Sequence, residues 1–175
     1  MDSYTFADTQ QFLAIAVDGF RRRLDAVGDV DWARPTPCDD WNIAELAKHL
    51  VGGGIMSELL LHGASKDEAM HALFSLEVEG DLVEAFDDAC RRQAAAFDQP
   101  GAADAICHHP AQDMPGSDFI WRRVRNTLIH TWDLARALGS DEQLDPDLVA
   151  LTWAQVQPAA PALAGSGMFG AGASG

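Results

Sequence analysis

Two histidines, each at the inner edge of an amphipathic helix, are the residues of this sequence best suited to chemistry. His130 lies in the run SDFIWRRVRNTLIHTWDLARALG, where Ile120, Val124, Leu128, Ala135 and Leu138 share one helical side. His130 borders that apolar face. Arg123, Asn126, Asp133 and Ala137 fall on its other flank, with Asn126 and Asp133 one turn before and one turn after it. His49 borders a second apolar face, made by Ile43, Leu46, Leu50 and Leu61. Two imidazoles meeting in one cavity suit zinc, nickel or iron(II). A catalytic zinc site commonly takes about three protein ligands and keeps one position for water or substrate. The same positions also suit two hydrogen-bonded histidines at a core edge, with Asn126 and Asp133 on a solvated face. Spacing leaves both readings open.

The other reactive side chains carry weaker signals. Arg123 shares the His130 side of its helix and suits either a substrate carboxylate or a structural ion pair with one of the many acids. Cys38, in PTPCDD, is flanked by acids that disfavour its thiolate. Cys107 stands beside His108 and His109 in a stretch broken by prolines. Inert thiols are expected at both cysteines. His62, His71, His108 and His109 read as surface or loop residues.

Helices must position the two histidines. The first is expected from about Asp8 to Val27, with Phe12, Leu13, Ala16, Phe20 and Leu24 at three- and four-residue spacings. A loop with two prolines follows. Asn42 with Glu45 has capping-box spacing and opens the His49 helix, which Gly52–Gly54 mark for a break or a close approach. Residues 64–79 are ambiguous. Asp81 with Glu84 repeats the capping-box spacing and opens a helix that ends near Gln99. Residues 102–116 read as irregular. Ser117 is expected to cap the His130 helix, which Gly139 ends. Asp145-Pro146 starts one more helix, ending near Gln157. No stretch alternates at period two. The chain is therefore expected to be all-α, a four-helix bundle over residues 1–163 with an additional C-terminal helix, followed by a Gly/Ala-rich tail over 164–175.

Composition narrows the function classes. The 175 residues are 47% hydrophobic and 22% charged, which fits one globular domain. Asp and Glu number 27 against 12 Lys and Arg, and a net charge of −15 opposes binding to nucleic acid or anionic membrane. No apolar run approaches the roughly 20 residues of a membrane span. The N-terminus lacks the pattern of a signal peptide. Three cysteines without C-x-x-C spacing argue against a disulfide framework and a thiolate zinc site, and for a cytoplasmic setting.

Five segments together carry a resemblance: PTPCDDW at 35–41, LAKHLVGG at 46–53, HPAQDMPG at 109–116, HTWDLARALG at 130–139 and GSGMFG at 165–170. They resemble the DinB-like superfamily, and more narrowly its actinobacterial branch related to the N-terminal domain of mycothiol-dependent maleylpyruvate isomerase. The resemblance covers nearly the whole chain. It implies a DinB-type four-helix bundle holding a divalent metal, zinc or nickel, with His49 and His130 as ligands. The family commonly takes a third ligand, an acid or a histidine, four residues before the second histidine. Asn126 occupies that position here, and a neutral amide is a poorer zinc ligand. Asp133 matches the W-D-L block and suits a partner of His130, a ligand or a catalytic proton acceptor. The chemistry implied is thiol-dependent: an S-transferase or isomerase using mycothiol as co-substrate on a small electrophile, with Arg123 for a substrate carboxylate. The alternative is a non-catalytic bundle that binds a ligand or dimerises, with a degenerate metal site. A homodimer stays open.

Overall fold

The computed structural model describes residues 4–39, 41–78 and 80–159. Six α-helices and one short hairpin follow in the order α1 (Phe6–Leu24), α2 (Ile43–Leu61), α3 (Lys66–Phe74), α4 (Leu82–Phe97), β1 (Ile106–His109), β2 (Gln112–Pro115), α5 (Gly116–Leu138) and α6 (Pro146–Val156). The bundle consists of α1, α2, α4 and α5, with α1 chiefly against α5 and α2 chiefly against α4. α6 is the additional C-terminal helix. The tail at 164–175, the GSGMFG segment and Asp40 lie outside the described residues. Among the described residues no helix is long and apolar enough to cross a membrane.

Caps delimit most elements. Thr5 and Asp8 form a capping box that starts α1 slightly before the expected Asp8. Asn42 and Glu45 form the box expected for α2. Ser65 and Glu68 form a third, which turns part of the ambiguous 64–79 stretch into α3. Asp81 caps α4 through the Val83 N–H, without the expected reciprocal bond from Glu84. Gly139 ends α5 in the left-handed region (φ 66°), as its type allows.

Two expectations are corrected. Ser117 does not cap α5: the helix starts at Gly116 after Pro115, and no side chain caps it. Its first N–H groups instead go to the preceding turn, Gly116 N to Ala105 O and Ser117 N to Ala103 O, each at 2.9 Å. That docking needs a glycine, because a Cβ at 116 would collide with the Ala102 carbonyl. Residues 102–116 are also not irregular throughout. They hold the antiparallel β1–β2 hairpin, in register from Ile106↔Pro115 to His109↔Gln112.

Gly52–Gly54 mark close packing, and α2 runs unbroken through them. A Cβ at Gly54 would stand 2.9 Å from the Ala89 carbonyl of α4. At Gly53 it would stand 2.7 Å from Arg123 Cζ, and at Gly52 it would strike Leu73 of α3. One helical turn thus admits three neighbours that side chains would keep away.

Two apolar clusters hold the bundle together. One joins Leu13, Leu60, Phe97, Phe119 and Ile120 near the hairpin. The other joins Phe20, Leu46, Leu50, Phe86 and Leu134. Each buried side chain of this size contributes about 1.5–3 kcal/mol. Ser57, Gln93, Arg123, Thr127, His130 and Asp133 are buried as well, a concentration of polar groups that needs internal partners.

Candidate metal centre

The loop between α1 and α2 folds back on itself before α2 begins. Thr36 N donates to Trp41 O (3.0 Å), Trp41 N to Cys38 O (2.9 Å) and Ile43 N to Arg34 O (3.0 Å). These bonds bring Trp41 and Cys38 to α2 and α5. The Trp41 ring centroid lies 4.6 Å from that of His49 and 5.8 Å from that of His130. The two histidines meet, with ring centroids 5.0 Å apart and planes at 81°.

Hydrogen bonds orient both rings. His130 Nδ1 is 2.8 Å from Asp133 Oδ2, and both side chains are buried. A carboxylate only accepts, so Nδ1 carries the proton, and in the neutral ring Nε2 bears the lone pair. On the other side, Arg123 Nη1 donates to Asn126 Oδ1 (3.1 Å). A guanidinium only donates, so the amide must turn its Nδ2 to His49 Nε2, 3.3 Å away. His49 Nε2 therefore also bears a lone pair. Burial, reinforced by His130 and Arg123, holds His49 neutral by lowering its pKa to about 4.

Arg123 is 8% exposed and fits the notch left by Gly53. Its Nε donates to Gln93 Oε1 (2.7 Å), which is also 3.0 Å from Ser57 Oγ. A chain of polar contacts thus runs from Ser57 through Gln93, Arg123 and Asn126 to His49.

Cys38 and Gln93 stand beside this polar cluster, a placement that local spacing does not reveal. Cys38 Sγ lies 3.5 Å from Asp133 Oδ2, and Cys38, His130 and Asp133 bring their donor atoms within 4.8 Å of one another. Burial first, then Asp133, pushes this thiol up to about 11. The acids beside Cys38 in the sequence had pointed to an inert thiol, and only the fold brings it to His130. Gln93 sits in a run of alanines and arginines with no motif to mark it.

The donor chemistry fits a divalent ion of the zinc or nickel kind. Two imidazoles face each other, one ring is held by a carboxylate, and a thiol is close by. Asn126 presents nitrogen rather than oxygen towards His49, so in this arrangement it offers no ligand atom and occupies the Nε2 lone pair, a bond that an ion at His49 would have to displace.

Beside the histidines lies a cavity of about 430 Å³, bounded by α2, α3, α5 and the hairpin. His49, Asn126 and His130 line it, as do Arg122, Arg123 and Arg125. His109, expected on the surface, is on β1 and lines it too.

Comparison with known proteins agrees with this architecture. Residues 13–135 match the family model of the mycothiol maleylpyruvate isomerase N-terminal domain, and the chain belongs to that family. Two uncharacterized proteins of Mycobacterium tuberculosis, MT0763 of strain CDC 1551 / Oshkosh and Rv0738 of strain ATCC 25618 / H37Rv, are each 35% identical over 133 residues, covering 76% of this chain and 69% of theirs. Among solved structures, the crystal structure of the mycothiol-dependent maleylpyruvate isomerase superposes with a TM-score of 0.68 at 17% identity, over 86% of this chain and 68% of that one. A histidine-to-alanine mutant of that enzyme gives the same TM-score at 16% identity. At such identities the likeness is one of fold.

Proposed function

We propose that this protein is a cytoplasmic, metal-dependent thiol S-transferase or isomerase that uses mycothiol on a small electrophile. The observation that carries this reading is the meeting of His49 and His130, ring centroids 5.0 Å apart, where the His49 Nε2 lone pair now accepts from Asn126 and an ion would take the place of that bond. These two residues would hold zinc or nickel, which supplies the Lewis acidity that favours a thiolate at neutral pH. Asp133 holds the His130 ring and its tautomer, and would act as proton acceptor through that ring. Trp41 packs beside both rings. Arg123, which lines the same cavity, suits a substrate carboxylate.

The test is the metal content of untagged protein purified without added metal, measured by inductively coupled plasma mass spectrometry. Stoichiometric zinc or nickel is expected in the wild type, with almost none in His49→Ala. Equal metal in both would refute the site.

The second reading is a non-catalytic bundle with a degenerate site, which binds a ligand or dimerises. The observation favouring it is Asn126, a neutral amide beside the Arg123 cation where the family commonly has an acid or a histidine. Asn126→Asp separates the two. A large gain in zinc affinity supports the degenerate site, whereas a small gain or a loss of activity supports a working one.

A further inference from the structure

Gln93 of α4 uses only half of its amide. The residue is 1% exposed. Arg123 Nε donates to its Oε1 (2.7 Å), and Ser57 Oγ lies 3.0 Å from the same oxygen. A guanidinium only donates, so Arg123 fixes the orientation of the amide and leaves Nε2 as a donor directed elsewhere. Among the described residues Nε2 has no acceptor, and it is not sealed in the core. Gln93 lines the groove between α1 and α4, so its free N–H groups open on that space. Buried amide donors are nearly always paired, and an unpaired one carries a cost that an acceptor in the groove would remove.

The groove encloses about 510 Å³, within the ~300–1,000 Å³ of small-molecule sites. Leu13, Ala14, Val17, Ala94 and Phe97 supply its apolar walls. Its charged groups already have partners. Asp18 accepts from Arg22 (2.6 Å), Arg21 pairs with Asp25 and Asp87, and Asp98 accepts from Gln10 Nε2 (2.7 Å). Burial keeps the Cys90 thiol neutral by raising its pKa to about 12. A charged ligand would meet no free counter-charge among these groups. An apolar body with one neutral oxygen acceptor matches both the walls and the Gln93 donor.

We propose that the α1–α4 groove is a second ligand site, which takes a small uncharged organic molecule whose carbonyl oxygen accepts from Gln93 Nε2 and whose apolar part lies against Leu13, Val17 and Phe97. This goes beyond the proposed function and requires neither metal nor thiol. The other end of the Gln93 amide holds Arg123, whose Nη1 holds Asn126, so the occupant contacts a residue that leads directly to the histidine cavity.

Nitrogen-15 NMR of the full chain, titrated in turn with acetophenone, ethylbenzene and 1-phenylethylammonium, tests it. The three probes share a shape and differ in the acceptor and the charge. Acetophenone is expected to shift the amide signals of Ala14, Val17 and Ala94 and the side-chain signal of Gln93 saturably. It should bind about tenfold more tightly than ethylbenzene, which has no acceptor, a comparison that needs no variant to fold. Gln93→Glu keeps an oxygen for Arg123 and removes the amide donor, and should reduce acetophenone to the affinity of ethylbenzene. Ala14→Trp, at an exposed position, should fill the groove and abolish binding of both. Equal affinity for acetophenone and ethylbenzene, unchanged acetophenone affinity in Gln93→Glu, shifts confined to the histidine cavity, or no saturable binding of any probe would overturn the site. Tighter binding of 1-phenylethylammonium than of acetophenone would overturn its assignment to uncharged ligands. Shifts of the groove amides on raising the protein concentration without a probe would give the groove to a second copy of the chain and overturn the proposal.

Discussion

Two cavities of similar size flank the bundle, and their contrast shows what distinguishes a charged site from a neutral one. The groove between α1 and α4 encloses about 510 Å³, and the one beside His49 and His130 about 430 Å³. In the α1–α4 groove the walls are Leu13, Ala14, Val17 and Phe97, and the charged groups are satisfied locally. Arg21 pairs with Asp25 and Asp87, and Asp98 accepts from Gln10 Nε2 at 2.7 Å. In the histidine cavity the arginines have no acidic partner among the described residues, and two imidazoles are held neutral. Volume alone would not separate the two. Desolvated groups left without counter-charges do, because they lower the cost of receiving a ligand of complementary charge. Gln93 lies at both: it lines the α1–α4 groove and its Oε1 holds Arg123.

The sharpest way to break this contrast is a pair of glycine substitutions. Gly53→Ala would push Arg123 off Gln93 and Asn126, since a Cβ there stands 2.7 Å from Arg123 Cζ. We expect a loss of about 2 kcal/mol in stability, read by chemical denaturation. Gly19→Ala, on α1, meets only Thr131 Cγ2 at 3.7 Å and should stabilise by about 0.5–1 kcal/mol through helix propensity. Equal effects of the two would mean that the Arg123 notch contributes nothing.

A second difference lies in acid stability. Burial holds both His49 and His109 at about 4 in the folded chain. Unfolded histidine titrates near about 6.5. Between those values the unfolded chain binds more protons, so stability is full above about pH 6.5 and falls as the pH drops towards 4. Thermal melts of metal-free protein across this range should show that fall, and the double variant His49→Gln, His109→Gln should flatten it. Arg21→Gln, in the other groove, should leave the slope unchanged.

The smallest expected effect concerns the thiols. Burial pushes Cys38 and Cys107 up to about 11 and Cys90 to about 12. Iodoacetamide at neutral pH should therefore modify the folded, metal-free chain slowly at all three, and most slowly at the fully buried Cys107. Intact-mass spectrometry checks this. Rapid labelling of Cys38 alone would mark it as an activated thiol and bring it into the chemistry of the site.

Much of this site was legible because it depends on helix registry. The positions of Asn126, His130 and Asp133 on α5 follow from 3.6-residue periodicity, and the observed His130–Asp133 bond is a local contact of that kind. The Asn42–Glu45 box that starts α2 is local as well. The hairpin was not legible. Its strands are four residues each, too short for alternation to show, and the prolines beside them read as breakers. Ser117 misled for a related reason: its own type favours a cap, but docking onto the Ala103 and Ala105 carbonyls took over the first-turn donors.

The sequence alone determined the helical class, the apolar faces and which side chains share one turn of helix, because those depend on neighbours within a few residues. Only the tertiary structure decided that His49 meets His130, that Cys38 comes to Asp133, that the triple glycine is a packing notch rather than a break, and that three arginines share a cavity that no acid lines among the described residues. Those outcomes depend on how α2, α5, the first loop and the hairpin dock. Docking is set by burial summed over many residues, which no short pattern encodes.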